Sequence, residues 1–239
     1  MKAAVLQPMY LPWMGYFGMI DQVDTFIYYD DVQFVRRSWQ RRNKIKIPGG
    51  DFTWLTVPVE KDFGQDINEV KVRSDENWQD SHWTSIYHSY TGAPYFDDYA
   101  DSIKSLYKSE WESLLYLNIS IIETILEKLS GVGGDTEFMY SSEIPSRGKK
   151  SDRLISILTE VGADSYVSGP GAKDYLEPQK FEQEGINVYW HEFGHPEYSQ
   201  RHGDFVSHLS VIDLLFHAGD ESGSIIKDTE QDALVPATD

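Results

Sequence analysis

The chain has 239 residues, 40% of them hydrophobic, and a formal net charge of −18 from 39 acidic and 21 basic side chains. That length suits one large domain with a full core. The lack of cysteine excludes disulfides, thiolate metal sites and a cysteine nucleophile, and the acidic balance argues against a nucleic-acid partner, which needs a basic face to neutralise phosphate.

The first element, "KAAVLQ", reads as a buried strand that stops at Gln7-Pro8. A turn rich in aromatics follows, with Tyr10, Trp13 and Tyr16, and Met14 to Val23 reads as a short helix. No apolar stretch reaches the roughly 20 residues that span a bilayer. Met1-Lys2 runs straight into the strand pattern without a signal-peptide layout, so a cytoplasmic protein with no membrane insertion is expected. "DTFIYYDDVQF" is a strand ending at Asp30-Asp31. Residues 36–46 then hold Arg36, Arg37, Arg41, Arg42, Lys44 and Lys46 with no acid among them. "FTWLTVPV" reads as a further strand, and the alternation in "INEVKV" predicts an exposed edge strand.

From Trp78 the apolar period becomes helical, and three successive helices run to "SGVGGD". They interrupt the β/α rhythm, which predicts a helical insertion over 77–133 in a core made of 1–76 and 134–227. The rhythm then resumes with a strand ("EFMYSSEI"), an amphipathic helix ("KKSDRLISILTEVGA"), a strand ("DSYVSG"), one or two short helices ("AKDYLEPQKFEQEG") and a strand ("INVYWHEF"). "DFVSHLSVIDLLFHAG" closes the series as a helix, and 228–239 reads as a flexible tail. Strands alternating with helices predict an α/β fold with a mostly parallel, doubly wound sheet, whose ligands bind beyond the carboxyl ends of the strands.

Each unusual motif follows a strand. Ser168-Gly169-Pro170-Gly171 stands between a strand and an expected helix, where small residues let a ligand approach the backbone and Lys173 adds a charge. Gln7, Tyr10, Trp13 and Tyr16 offer aromatic faces for a base or sugar. Asp30 and Asp31 suit an amine or ribose hydroxyl, while Arg36, Arg37 and Arg42, with Asn43 and Lys46, suit phosphate. His191, His195, His202, His208 and His217 cluster late in the chain. Their spacing is not that of a zinc motif, so no metal is assigned. His195 or His202 suits a general base near neutral pH, with Asp213 on the apolar run "LSVIDLLF" as its orienting acid and Tyr198 and Gln200 as neighbouring binding residues.

Taken together, "QPMYLPWMGYF", "YYDDVQF", "RNKIK", "WLTVPV", "APYF", "SGPGAKDYL" and "HPEYSQRHGDFVSHLSVIDLLF" resemble the WbqC-like protein family, over about Ala4 to Ser222. The resemblance implies a place beside bacterial surface-polysaccharide genes, including O-antigen clusters, and transfer of glycine or a related acyl group onto an amino sugar. The opening strand, Pro/Gly turn and helix are also similar to nucleotidyltransferases and pantothenate-synthetase-like ligases (a HUP-like sheet). The His-x-Gly-His of those enzymes is missing here, and "PWMGY" stands in its place. The expected function is therefore an acyltransferase forming an amide on a nucleotide-linked amino sugar, using a thioester or aminoacyl donor. Two alternatives stay open: an ATP-dependent nucleotidyltransferase or carboxylate-amine ligase, and a non-catalytic nucleotide-sugar-binding module. A homodimer is a further expectation.

Overall fold

The structure, a computed structural model, describes residues 1–60, 64–230 and 233–237. Its centre is a six-stranded sheet. In chain order its strands are β1 (Lys2–Leu6), β2 (Thr25–Tyr28), β5 (Glu137–Tyr140), β6 (Ser165–Ser168), β7 (Asn187–His191) and β8 (Leu234–Pro236), and they lie side by side as β5-β2-β1-β6-β7-β8. All neighbours are parallel except β7 and β8. From β1 the chain winds outward through β2 to β5, then crosses back to β6 and continues to β7. The winding therefore reverses between β1 and β6.

Alternate residues of the strands face two apolar layers. Ala4, Phe26, Tyr28 and Val167 pack with α1 (Met14–Asp21), α2 (Trp78–Tyr90), α3 (Phe96–Leu106), α4 (Leu114–Leu126), α7 (Ile212–Ala218) and α8 (Ser222–Thr229). Ala3, Val5, Ile27, Tyr166 and Val188 pack with α5 (Ser151–Glu160) and α6 (Pro178–Gln183). Helices thus cover both faces, which explains why β1 and β2 are continuous apolar runs rather than alternating ones. The three helices expected over 77–133 are present and share a single core with α1 and α7.

Several local expectations are corrected. β3 (Arg42–Lys46) and β4 (Phe52–Thr56) form a separate antiparallel hairpin outside the main sheet. "INEVKV" is not an exposed edge strand: Ile67–Glu69 is a 3-10 turn closed by a capping box from Asp66, and Val70 and Val72 are buried. The closing helix spans only Ile212–Ala218, because His208 sits at φ 59, a left-handed conformation that no helix continues through. Residues 234–236, within the segment read as a flexible tail, form edge strand β8. After Gly169 there is only one 3-10 turn, Pro170–Ala172, before α6 begins at Pro178. The residue before a proline disfavours the α region, so Glu177-Pro178 breaks any longer helix.

Candidate functional site

The reversal between β1 and β6 opens a crevice at the carboxyl ends of the strands, where open α/β sheets bind ligands. It is a cavity of about 850 Å³. Leu6, Gln7, Ser168 and His191 line it from the strand ends, and Trp13, Gly15, Tyr16 and Met19 from the first turn and α1. Tyr29, Lys150 and Tyr175 line it as well, as do Glu192 to His195 and His208. Its walls are mostly apolar with a few polar groups, the usual make-up of a small-molecule pocket.

Two glycines show why the motifs have their composition. Gly171 is not in a positive-φ conformation, and a Cβ added there would meet nothing within 4 Å. Neither backbone strain nor packing requires glycine at this position, and what its missing side chain leaves is open space beside the cavity. Gly15 serves differently. An added Cβ would run into the indole of Trp13, so glycine lets that ring lie flat over the start of α1.

The Trp13 ring in turn supports two imidazoles. It stacks on His195 at 5.1 Å between ring centres and on His208 at 6.1 Å, and His195 and His208 are 3.5 Å apart. Nδ1 of His195 is buried without a hydrogen-bond partner among the described residues. Burial, and then the neighbouring His208, hold the His195 pKa below its ordinary value. Burial, and then the charge of Lys44, do the same for His208. Both shifts favour the uncharged ring, in which one nitrogen carries a proton and the other a lone pair. Tyr16 lies inside this wall with its hydroxyl buried and without a partner among the described residues, and burial raises its pKa well above the usual phenol value.

Of the residues singled out from the sequence, Gln7, Trp13, Tyr16, Ser168, Gly169, Gly171 and His195 line this cavity. Others are placed elsewhere for identifiable reasons. Tyr10 is fully buried against the helices, and its hydroxyl bonds His82 Nδ1 at 2.8 Å and the Tyr107 hydroxyl at 2.7 Å. Asp30 turns inward, accepting from the Ser142 amide (3.0 Å), the Ser142 hydroxyl (2.7 Å) and Asn68 (3.3 Å). Asp31 binds Ser141 and Arg153. Asn43 donates to the Leu11 carbonyl at 2.6 Å, and Lys173 pairs with Glu192 at 2.5 Å. Arg36, Arg37 and Arg42 stand on the β3–β4 side and do not line the cavity.

His202 is also displaced from the cavity: its Nε2 bonds the Ser89 carbonyl at 2.8 Å. Asp213 orients neither His195 nor His202. Its carboxylate accepts from the hydroxyls of Tyr90 (3.0 Å) and Tyr198 (2.9 Å), and His217 is the histidine beside it, at 3.5 Å. Tyr198, Gln200 and Lys46 belong to the same buried network. Gln200 donates to Tyr198 at 3.3 Å, and Lys46 Nζ donates to Gln200 (3.2 Å) and to the carbonyls of Gly203 (3.3 Å) and Asp204 (2.5 Å).

Sequence reasoning passed over His208, Phe193, Tyr175 and Lys150 at the cavity, and the pair beneath it. His191 Nε2 lies 2.8 and 2.9 Å from the two carboxylate oxygens of Glu230, each side chain 1% exposed. Gly18 of α1 makes room for Glu230, since a Cβ there would collide with the carboxylate. His208 was visible as one of the clustered histidines, whereas nothing local in the sequence links His191 with a glutamate 39 residues away. Among the described residues no group of three or more histidines and carboxylates is placed to hold a metal ion, and no helix is long and apolar enough to cross a membrane.

No solved structure matches the chain. A protein of Mycobacterium tuberculosis (strain ATCC 25618 / H37Rv), named "Uncharacterized protein Rv1507c", is 34% identical over 230 residues, covering 95% of this chain and 97% of the relative. The model of the WbqC-like protein family matches residues 7–225, which include the whole wall from Gln7 to His208. The chain belongs to the WbqC-like protein family.

Proposed function

We propose that the chain is an acyltransferase that forms an amide on a nucleotide-linked amino sugar, in the building of a bacterial surface polysaccharide. The observation that carries this reading is the cavity at the sheet's reversal, with open space at Gly171 and a neutral, unpartnered His195 in its wall. The exposed ring of Tyr175 is suited to a sugar ring. The backbone at Gly169 and Gly171 allows close approach of the acyl group. The sugar amine attacks the carbonyl carbon of a thioester (or an aminoacyl ester), a C–N bond forms and the thiolate or alkoxide leaves. His195 takes the proton that the nitrogen sheds.

Thermal-shift measurements with nucleotides, nucleotide-linked amino sugars and acyl-CoA thioesters test the ligand class, because a ligand that binds only the native state raises its melting point with affinity. Mass spectrometry of the mixture then tests the reaction. An N-acylated sugar that is lost in His195→Asn, with binding retained, is the expected result. Conversion of ATP to AMP or ADP, with no dependence on an acyl donor, overturns it in favour of a ligase or nucleotidyltransferase. Binding with no product under any donor reduces the protein to a carrier.

A further inference from the structure

The outward face of the β3–β4 hairpin lies outside the cavity. Trp39, Phe52 and Trp54 stand on it, each 38–39% exposed. Trp39 and Trp54 are 5.3 Å apart between ring centres, and Phe52 meets Trp54 edge-on at 6.3 Å. Two cations are set among them: the Arg42 guanidinium lies 4.4 Å over Trp54, and Lys44 Nζ lies 4.7 Å over Phe52. Such rings usually cover themselves in a core, and such charges on an acidic chain usually find a carboxylate.

Here they find none. Although the chain has 39 acidic residues, no carboxylate among the described residues pairs with Arg36, Arg37, Arg41, Arg42 or Lys44. Other arginines are paired: Arg73 with Asp75 and Glu76, and Arg153 with Asp31. An unpaired cationic strip in a field of −18 concentrates anions at one place. The strip also adjoins the cavity. The Ser210 amide donates to the Lys44 carbonyl at 2.9 Å, Ser210 bridges to Trp13, and Gln40, next to Trp39, donates to Gln7 at 2.8 Å.

We propose that this face binds a nucleoside diphosphate, with the base stacked on Trp39 or Trp54 and the phosphates held by Arg42 and Lys44. This deepens the reading above and rests on it only in direction: the nucleotide end of the donor or acceptor lies on the hairpin, and the reacting end enters the cavity. Aromatic faces accept any base, and guanidinium and ammonium groups bind phosphate strongly. Stacking and charge therefore make separable contributions.

Calorimetric titration of the full-length chain with UDP, ADP and GDP tests this, at low and at high salt. The double variant Arg42→Gln/Lys44→Gln is expected to lose at least about tenfold in affinity and most of its salt dependence. Trp39→Leu/Trp54→Leu is expected to lose a similar factor while keeping the salt slope. The first changes half-buried side chains and the second exposed ones, and unchanged melting curves establish that both fold. Gly171→Leu, which adds a side chain at the lining of the cavity, is expected to leave UDP binding unchanged. If Gly171→Leu abolishes UDP binding and the hairpin variants do not, the nucleotide sits in the cavity: this proposal fails and the cavity reading survives. Absence of binding by all three nucleotides, or binding only of a longer polyanion such as polyphosphate, also overturns it.

Discussion

Gly171 is the position where a single side chain separates fold from function. Its backbone does not need glycine and its neighbours leave the space empty. Gly171→Leu is therefore expected to fold with a melting temperature close to the parent's and to crowd the cavity, seen as loss of the thermal shift given by an acyl-CoA thioester while the shift given by UDP is kept. Loss of folding would show instead that the space is only apparent. His82 makes the opposite case, a residue that matters for stability alone. It is buried beside Tyr10 and Tyr107, and burial pushes its pKa down to about 4. Its unfolded value is near 6.5, so between those two values the unfolded chain binds the extra proton. Stability is complete above pH 6.5 and falls as the pH drops toward 4, by up to about 3 kcal/mol from this residue. Urea unfolding across that window is expected to show the loss, and His82→Phe to flatten it. Tyr10 was read from the sequence as a ligand-binding aromatic, and its use as this histidine's partner was not legible, because His82 is 72 residues away.

At the scale of elements, the segment from Glu192 to Val211 has almost no regular structure, yet it carries two imidazoles to the cavity rim. It is held by side chains rather than by a ladder. Lys46 of β3 reaches Gln200, Gly203 and Asp204, Asp213 of α7 holds Tyr90 and Tyr198, and His217 Nε2 accepts from the Arg201 amide at 3.0 Å. Lys46→Met keeps the length and apolar stem but strands the carbonyls of Gly203 and Asp204, while Gln200 Oε1 keeps the Val206 amide. It is expected to cost about 2–4 kcal/mol, since an unmatched buried acceptor costs roughly 1–3 kcal/mol with partial recovery by water. The loss should appear as faster hydrogen exchange over 198–206, with β1 and β2 unaffected; uniform acceleration would mean that the network supports the whole fold. The sequence marked Lys46, Tyr198, Gln200, Asp213 and His217 as special, through a basic run, an acid on an apolar helix and a cluster of histidines, but not Tyr90 or Arg201. It could not distinguish a ligand site from an anchor, because both call for buried polar groups with partners.

Across the whole molecule, what was legible followed local period: continuous apolar runs for β1 and β2, helical spacing for α2 to α5, and alternation that implied a mostly parallel sheet. The cavity was legible in part, because strand ends are where such sheets bind. What stayed hidden depended on long-range pairing: the separate β3–β4 hairpin, the edge strand at Leu234–Pro236 and the His191–Glu230 contact. Charge, in contrast, is a property of the whole chain and was fully legible. A net charge of −18 repels itself in the folded state, and among the described residues most of the ion pairs outside the buried His191–Glu230 and His217–Asp213 contacts and the Arg153–Asp31 pair are exposed or half-exposed, so they offset little of that repulsion. Raising salt screens the repulsion over about 10 Å or less, so the unliganded protein is expected to melt higher in salt; a gain of about 1 kcal/mol moves a chain of this size by about 2–4 °C. A nucleotide held by Arg42 and Lys44 responds with the opposite sign, because the same ions compete for the cations. Plotted against salt, the melting point of the free protein should therefore rise while the increment added by UDP shrinks. A UDP increment independent of salt would place the nucleotide away from the basic strip, and a melting point that falls with salt would show that attraction, not repulsion, dominates the folded state.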